Sequence, residues 1–204
     1  MLPELLEEPA AARIQLVPLT VEQYHQMLAA GILEEGAPIE LLDGMLVAKD
    51  RGPGMTVNPL HSLVVSKLQR LVAALEAVGC HLRVQNPVTI VPRHEPEPDA
   101  LIVRGRLEDY ASHHPEPADV SCAVEVADSS LARDRTTKLR IYATAGIPQY
   151  CVINLPDRRI EVHEDPDRER GVYRDRRELT AEATLALLLP NGRRFEVAAA
   201  DLLP

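Results

Sequence analysis

One short segment, residues 122–127 with the sequence Cys-Ala-Val-Glu-Val-Ala, constrains the fold more than any other part of the chain. Side chains alternate between the two faces of a strand, so this run would be apolar on both faces except at Glu125. An unpaired buried carboxylate is costly, so Glu125 must stay protonated, meet a cation, or lie where the sheet opens to solvent. The sequence therefore predicts a covered strand with one acid that needs an explanation.

Turn and cap residues divide the rest of the chain into short elements. Thr20 is a typical N-cap for a helix that ends at Gly31, and Asn58-Pro59 opens a second helix that ends at Gly79. Asp43-Gly44 is typical of a hairpin turn between two strands. Later apolar runs predict strands over 82–91, 99–103, 120–127, 149–154 and 159–163, a helix over 134–145, and a closing hairpin over 187–197.

This mixed order of helices and strands predicts an α/β fold with a mixed central sheet flanked by helices. The chain has 204 residues, enough to close one sizeable core, and its composition does not divide into two halves. We therefore expect an N-terminal tail over residues 1–18 and a single domain over 19–204.

The net charge of −9 argues against a nonspecific coat on nucleic acid, because such binding depends on many Lys and Arg contacts to phosphate. Arginines in the second half could still form a local basic face. No apolar run approaches the roughly 20 residues of a membrane span, and the N-terminus has acids where a signal peptide has bases. The sequence predicts a cytoplasmic protein that does not enter a membrane.

Asp99 and Glu125 are the first pair of candidate site residues. Asp99 follows a Glu-Pro-Glu-Pro run and opens an apolar strand, so Pro98 would deliver it to the mouth of that strand. Each acid taken alone has a plainer explanation: Asp99 as a turn residue, and Glu125 at a sheet edge or paired with an arginine. Together at one end of neighbouring strands, they would suit Mg²⁺ or Mn²⁺.

Lys138 is the third candidate. On the predicted helix, Asp134, Lys138 and Tyr142 lie along one stripe at four-residue spacing. The plainer interpretation is an ion pair between Asp134 and Lys138 on the helix surface. The functional interpretation is a lysine beside a metal ion that orients a water molecule or stabilises negative charge.

Five short motifs follow one another along the chain. They are Glu40-Leu-Leu-Asp-Gly, Pro98-Asp99-Ala-Leu-Ile-Val, Val124-Glu125-Val, Asp134-Arg-x-x-Lys138-x-x-x-Tyr142, and Gly146-Ile-Pro-Gln-Tyr150. In this order they resemble the Uma-two family of restriction-endonuclease-like proteins within the PD-(D/E)XK nuclease superfamily. The resemblance runs from about Thr20 to the C-terminus, and the order and spacing of the motifs make it far more specific than any one of them.

The resemblance implies a restriction-endonuclease-like fold and a Mg²⁺-dependent (or Mn²⁺-dependent) site in which a metal-activated water hydrolyses phosphodiester bonds. Asp99 and Glu125 match the metal-binding acids of the superfamily, and Glu40 matches an early glutamate that could complete the metal shell. The motif lysine is absent from the strand, where Ala127 stands. Lys138 would take its catalytic place from the helix.

Three further residues are candidates for contact with substrate. His61 lies in the first turn of the second helix, Gln85 lies on the strand before Asp99, and Tyr142 lies one turn after Lys138. Each also has a plainer explanation. His61 could be a half-exposed helix residue, Gln85 a polar residue on a half-solvated strand, and Tyr142 a ring in the core.

Two functions of different classes follow. The first is an endonuclease that cuts DNA, with RNA or branched DNA as alternative substrates, since a phosphodiester site reads the backbone. The second is a catalytically silent dimeric module that keeps the fold for DNA binding or as a scaffold. The acidic net charge and Ala127 favour the second, and the four residues Glu40, Asp99, Glu125 and Lys138 favour the first. By analogy with the fold class, we expect a homodimer.

Overall fold

The computed structural model describes residues 15–34, 36–49 and 58–204. Most of the expected N-terminal tail, including its acidic first residues, lies outside the described residues. Within them, the chain forms six α-helices: α1 Val21–Ala29, α2 Pro59–Gln69, α3 Val72–Glu76, α4 Leu131–Arg133, α5 Leu139–Ala145 and α6 Ala199–Leu202.

Ten strands are present in the described ranges, and six of them form the central sheet. The sheet order is β3-β4-β5-β6-β7-β8, with β5 and β6 parallel and the other neighbours antiparallel. Hairpins β1–β2 and β9–β10 are separate two-stranded sheets. The strands are β1 Ile39–Leu42, β2 Met45–Ala48, β3 Cys80–Val84, β4 Ala100–Arg104, β5 Val120–Ala127, β6 Gln149–Asn154, β7 Arg159–Asp167, β8 Val172–Leu179, β9 Thr184–Leu188 and β10 Arg194–Ala198.

The central sheet is covered on both sides, as the segment 122–127 requires. All eight residues of β5 are buried. One face packs against α2, α3, α6 and the β9–β10 hairpin. The other face, which includes Ala123 and Ala127, packs against α5 through Ile141 and Tyr142. The predicted mixed α/β sheet flanked by helices is confirmed, and Glu125 lies on the α5 side.

Local sequence signals account for the starts of α1 and α2. Thr20 and Gln23 form a reciprocal capping box at α1, with hydrogen bonds of 3.2 and 2.9 Å. The Asn58 side chain caps α2 by accepting a 2.8 Å hydrogen bond from the Leu60 amide, and Pro59 occupies the first turn. Both predicted helix starts are confirmed.

One predicted strand is shorter in the structure, and one predicted helix is interrupted. The strand expected over 82–91 ends at Val84, because Gln85 adopts a left-handed backbone conformation with φ of 52°. The helix expected to run from Pro59 to Gly79 is divided into α2 and α3. At the break, the Leu71 amide donates to the Leu68 carbonyl three residues back, at 2.9 Å.

The helix expected over 134–145 begins earlier, at Leu131, and contains a π-helical turn. This turn, Asp134–Lys138, joins α4 to α5 without a break. We call the continuous helix 131–145 the site helix. It connects the parallel strands β5 and β6, which need such a crossover.

Strand β8 is an element that the sequence analysis missed. Its sequence Val-Tyr-Arg-Asp-Arg-Arg-Glu-Leu is rich in charged residues, which are uncommon in a covered strand, and its arginines were considered only as part of a local basic face. The strand lies at the edge of the sheet, where charged side chains remain exposed and pair with acids of the neighbouring β7. No helix in the described ranges is long and apolar enough to cross a membrane.

His163 provides a pH-dependent test of the core. Its ring, in β7, lies 5.8 Å from the Tyr150 ring and 6.0 Å from the Tyr173 ring. Burial lowers the pKa of His163 to about 4. In the unfolded chain the imidazole binds a proton below a pH of about 6.5, so the folded state loses stability as pH falls from about 6.5 to 4.

We expect wild type to lose on the order of 2 kcal/mol more than His163→Gln when pH falls from about 7 to about 4.5. Urea denaturation of both proteins at the two pH values measures this difference. Equal losses would show that His163 does not contribute to acid destabilisation.

Candidate active site

Sheet register brings two of the three predicted metal ligands, Asp99 and Glu125, to the same end of neighbouring strands. Strand β4 is antiparallel to β5, with Ala100 opposite Val124, so Asp99 lies beside the Glu125–Val126 peptide. The Val126 amide donates a 2.8 Å hydrogen bond to Asp99 Oδ2. Asp99 is therefore fixed by the backbone of the strand that holds Glu125.

Lys138 reaches the same place from the site helix. Its Nζ lies 2.8 Å from Glu125 Oε1 and 2.8 Å from Glu40 Oε1. The Tyr142 hydroxyl, one turn later, donates to the same Glu125 Oε1 at 2.9 Å. Among the described residues, these hydrogen bonds to the Glu125 carboxylate all engage Oε1, which leaves Oε2 for another ligand.

The third carboxylate comes from the first hairpin. Glu40, in β1, is 1% exposed, and its Oε1 also accepts a 2.7 Å hydrogen bond from the Glu97 amide. Its Oε2 is buried without a hydrogen-bond partner in the described part of the chain. A buried carboxylate oxygen without a partner is rare in folded proteins and is suited to a cation.

The π-helical turn of the site helix sets the position of Lys138. The Leu139 amide donates to the Asp134 carbonyl five residues back, and the Tyr150 hydroxyl donates to the same carbonyl at 3.0 Å. Tyr150 is fully buried in β6. The central sheet therefore holds the π-helical turn in place through Tyr150. Turns of this kind are frequent at functional sites.

His61 and Gln85 both approach Asp99. His61 Nε2 lies 3.1 Å from Asp99 Oδ1, and Gln85 Nε2 donates to the same oxygen at 3.4 Å. The left-handed conformation that ends β3 at Gln85 places this side chain next to Asp99. Contact of either residue with substrate stays a prediction, and both lie beside the cavity described next.

A cavity of about 350 Å³ brings these residues together. Glu40, Asp99, Glu125 and Lys138 all line it, as do His61 and Gln85. Tyr142 is fully buried beneath the cavity and is not one of its lining residues. Its hydroxyl supports Glu125 from within the core. This position agrees with the plainer interpretation of Tyr142 as a core ring.

Burial and neighbouring charges shift the pKa values of the ionisable side chains in the cavity. Burial raises the pKa of Asp99, but its hydrogen bonds to His61 and the Val126 amide outweigh burial and lower it overall. Burial raises the pKa of Glu125 despite Lys138. Burial lowers the pKa of Lys138, yet the charges of Glu125 and Glu40 outweigh burial and hold it above its ordinary value. Lys138 is thus a cation at neutral pH.

The donor atoms fit a hard divalent cation. Asp99, Glu125 and the unpartnered Glu40 Oε2 supply carboxylate oxygens, the atoms that Mg²⁺ and Mn²⁺ prefer. Within the described ranges, no group of three or more His, Cys, Asp or Glu side chains is arranged to hold a metal by itself. Mg²⁺ usually binds through one or two carboxylates and keeps several waters, so two acids suffice.

The sequence analysis missed two contributors to the cavity. Asp134 was considered only as the helical partner of Lys138, but Lys138 pairs with Glu125 and Glu40 instead. Asp128, just after β5, accepts a 2.5 Å hydrogen bond from the α2 cap residue Asn58. Its four-residue spacing from Lys138 could have placed Asp134 on the side of the helix that faces the cavity. No such signal exists for Asp128, because its partner Asn58 is distant in sequence.

Comparison with known proteins agrees with the motifs. A family described as "Putative restriction endonuclease" matches residues 21–198 of the chain. The chain belongs to this family, Uma2. The match confirms the resemblance to the Uma-two family and spans the segments that contain Glu40, Asp99, Glu125 and Lys138.

A solved structure shares the fold of this Uma2 family member. It is the crystal structure of a protein from Anabaena variabilis described as "a putative nuclease belonging to DUF820", with a TM-score of 0.65 and 14% sequence identity. The similarity covers 91% of this chain and 97% of the other. No match was found among curated proteins.

The buried lysine gives a stability prediction for this Uma2 chain. Lys138→Met would leave two buried carboxylates without their cation, so we expect a loss of about 3–5 kcal/mol in the free energy of unfolding. Urea denaturation measures it. Arg140→Met, on the same helix, removes an exposed ion pair with Asp43 and should cost less than about 1 kcal/mol. Similar losses in both variants would contradict the account.

Proposed function

We propose that the protein is a Mg²⁺-dependent or Mn²⁺-dependent endonuclease that hydrolyses phosphodiester bonds in DNA. One observation supports this most strongly: Lys138, from the site helix, contacts Glu125 in the cavity that Asp99 also lines. The lysine absent at Ala127 thus has a replacement within reach of the same glutamate.

Asp99 and Glu125 would hold the cation. The Val126 amide fixes Asp99 through Oδ2, while Tyr142 and Lys138 fix Glu125 through Oε1. Glu125 Oε2 could meet a cation without reorganisation, whereas at Asp99 the cation would share Oδ1 with His61 and Gln85. Glu40 Oε2 is the third oxygen available to it. When bound, a divalent cation stabilises charge on the scissile phosphate and lowers the pKa of an attacking water.

Lys138 would act as a fixed positive charge. Because its pKa is held above the ordinary value by its two carboxylates, it cannot accept the proton of the attacking water at neutral pH. An ammonium group has three donors, and the two carboxylates engage only two of them. The remaining donor can orient the water or stabilise the developing negative charge.

The runner-up function remains a catalytically silent DNA-binding or scaffold module. The net charge of −9 favours it, because an acidic protein is repelled by nucleic acid outside local basic faces. The acids in the cavity do not separate the two functions, since an inactive relative could retain them. Metal-dependent cleavage separates them directly.

DNA is the partner that we propose, and RNA or branched DNA would satisfy the same backbone chemistry. The homodimer and the cytoplasmic location stay predictions. Sedimentation equilibrium tests the homodimer, which would bring two sites to the two strands of one duplex.

A cleavage assay tests the proposed function. We expect the full chain to convert supercoiled plasmid DNA to nicked or linear forms with Mg²⁺ or Mn²⁺, and EDTA to stop the reaction. Asp99→Asn and Lys138→Gln should each lower the rate by at least about 100-fold, because each removes a group required in the transition state. Gel electrophoresis over time measures the rates.

Arg140→Gln is the matched control, because Arg140 lies on the same helix but outside the cavity. It should cleave at the wild-type rate. Cleavage that persists unchanged in Asp99→Asn would refute the proposed site, and absence of cleavage of plasmid, single-stranded DNA and RNA with either metal would favour the silent module.

A further inference from the structure

The cavity holds more negative charge than one divalent cation would balance. Six carboxylates line it against three cationic side chains, Lys49, Arg133 and Lys138, which leaves a formal excess of three negative charges with His61 neutral. A phosphodiester would add one more negative charge. One divalent cation would offset only half of that total, whereas two would offset all of it.

Asp134 is the carboxylate that the proposed site leaves unexplained. It is 1% exposed and lines the cavity. Its Oδ2 accepts a 2.6 Å hydrogen bond from the Ser130 hydroxyl. Its Oδ1 is buried and has no hydrogen-bond partner among the described residues. A buried acceptor without a partner is rare, and here it borders a cavity that a ligand can enter.

Among the described residues, neither neighbouring cation forms an ion pair with Asp134. Lys138, four residues along the helix, contacts Glu125 and Glu40 rather than Asp134. The Arg133 guanidinium donates to the Ala48 carbonyl at 3.2 Å. Burial raises the pKa of Asp134, and the charge of Lys138, the hydrogen bond of Ser130 and the charge of Arg133 offset this effect only in part.

Two other acids of the cavity, Asp99 and Asp128, accept hydrogen bonds from protein groups. Asp99 is hydrogen-bonded at both oxygens, and Asp128 accepts from Asn58. Asp134 therefore differs from both of them in having one buried oxygen free for a ligand. Asp128 is, for the same reason, a suitable control for a test of Asp134.

We propose that Asp134 is a cation-binding carboxylate, and that it adds a second divalent-cation position to the cavity beside that of Asp99 and Glu125. The inference rests on the proposed function for its first cation position. Asp134 Oδ1 would supply one ligand of Mg²⁺ or Mn²⁺, and waters or a substrate phosphate oxygen would supply the rest, which is common for Mg²⁺ bound with phosphates.

Counting bound Mn²⁺ on the full chain tests the inference without a substrate. Electron paramagnetic resonance of free Mn²⁺ gives the number of ions bound at each concentration. We expect wild type to bind about two ions, Asp134→Asn about one, and the control Asp128→Asn about two, because Asn keeps the shape of Asp but is a poor ligand for hard cations.

A folding control accompanies the count. Asn at position 134 can still accept the hydrogen bond of Ser130 and removes a poorly compensated buried charge, so the thermal midpoint of Asp134→Asn without metal should equal or exceed that of wild type. A large excess of Mn²⁺ should raise the midpoint of wild type more than that of Asp134→Asn.

The outcomes separate this inference from the proposed function. Wild-type stoichiometry and affinity in Asp134→Asn would overturn the second position. A single ion in wild type that Asp99→Asn abolishes and Asp134→Asn keeps would overturn the second position and leave the proposed function intact. Absence of binding to wild type would overturn both. An equal loss in Asp128→Asn would also overturn the inference, because it would show an effect of charge alone.

Discussion

The rest of the structure depends on one interaction, the buried ion pairing of the Lys138 ammonium group with Glu125 and Glu40. Each of the three side chains comes from a different part of the fold: the site helix, the central strand β5 and the first hairpin. Buried charges are tolerated only when they are paired and hydrogen-bonded. The helix, the sheet and the hairpin must therefore stay in register for any of these charges to be stable.

This requirement explains several features around the cavity. The site helix includes a π-helical turn at Asp134–Lys138, and Tyr150 holds its carbonyl from the sheet. Tyr142 donates its hydroxyl to the same glutamate as Lys138. Because these contacts fix one oxygen of Glu125, the other oxygen remains for a cation. The network thus leaves one oxygen of Glu125 available for the proposed cation and holds Lys138 beside that glutamate.

Much of the fold could be predicted from the sequence because its signals are local. The capping box at Thr20, the Asp43-Gly44 turn and the apolar run of β5 all act between near neighbours, and each was confirmed. The end of β3 at Gln85 and the edge strand β8 could not, because a left-handed residue and the pairing of a charged strand depend on distant partners.

The same distinction between local and distant contacts separates the parts of the candidate site that could be predicted from those that could not. Strand alternation placed Glu125 on one face with Ala123 and Ala127, and helical spacing placed Tyr142 beside Lys138. That this face meets the site helix is known only from the folded chain. Spacing alone also paired Lys138 with Asp134, whereas the folded chain pairs it with Glu125 and Glu40. Glu40 is distant in sequence and reaches the lysine only through the tertiary fold. The partners of a buried charge are decided by that fold, which short-range patterns do not contain.

The most direct test of this account is a crystal structure of the protein soaked in Mn²⁺, with anomalous scattering recorded to locate the metal. The account predicts an anomalous peak within coordinating distance of Asp99 and of Glu125 Oε2, with Lys138 still hydrogen-bonded to Oε1. A saturating soak that leaves no peak between these two carboxylates, or places the metal elsewhere in the molecule, would contradict it.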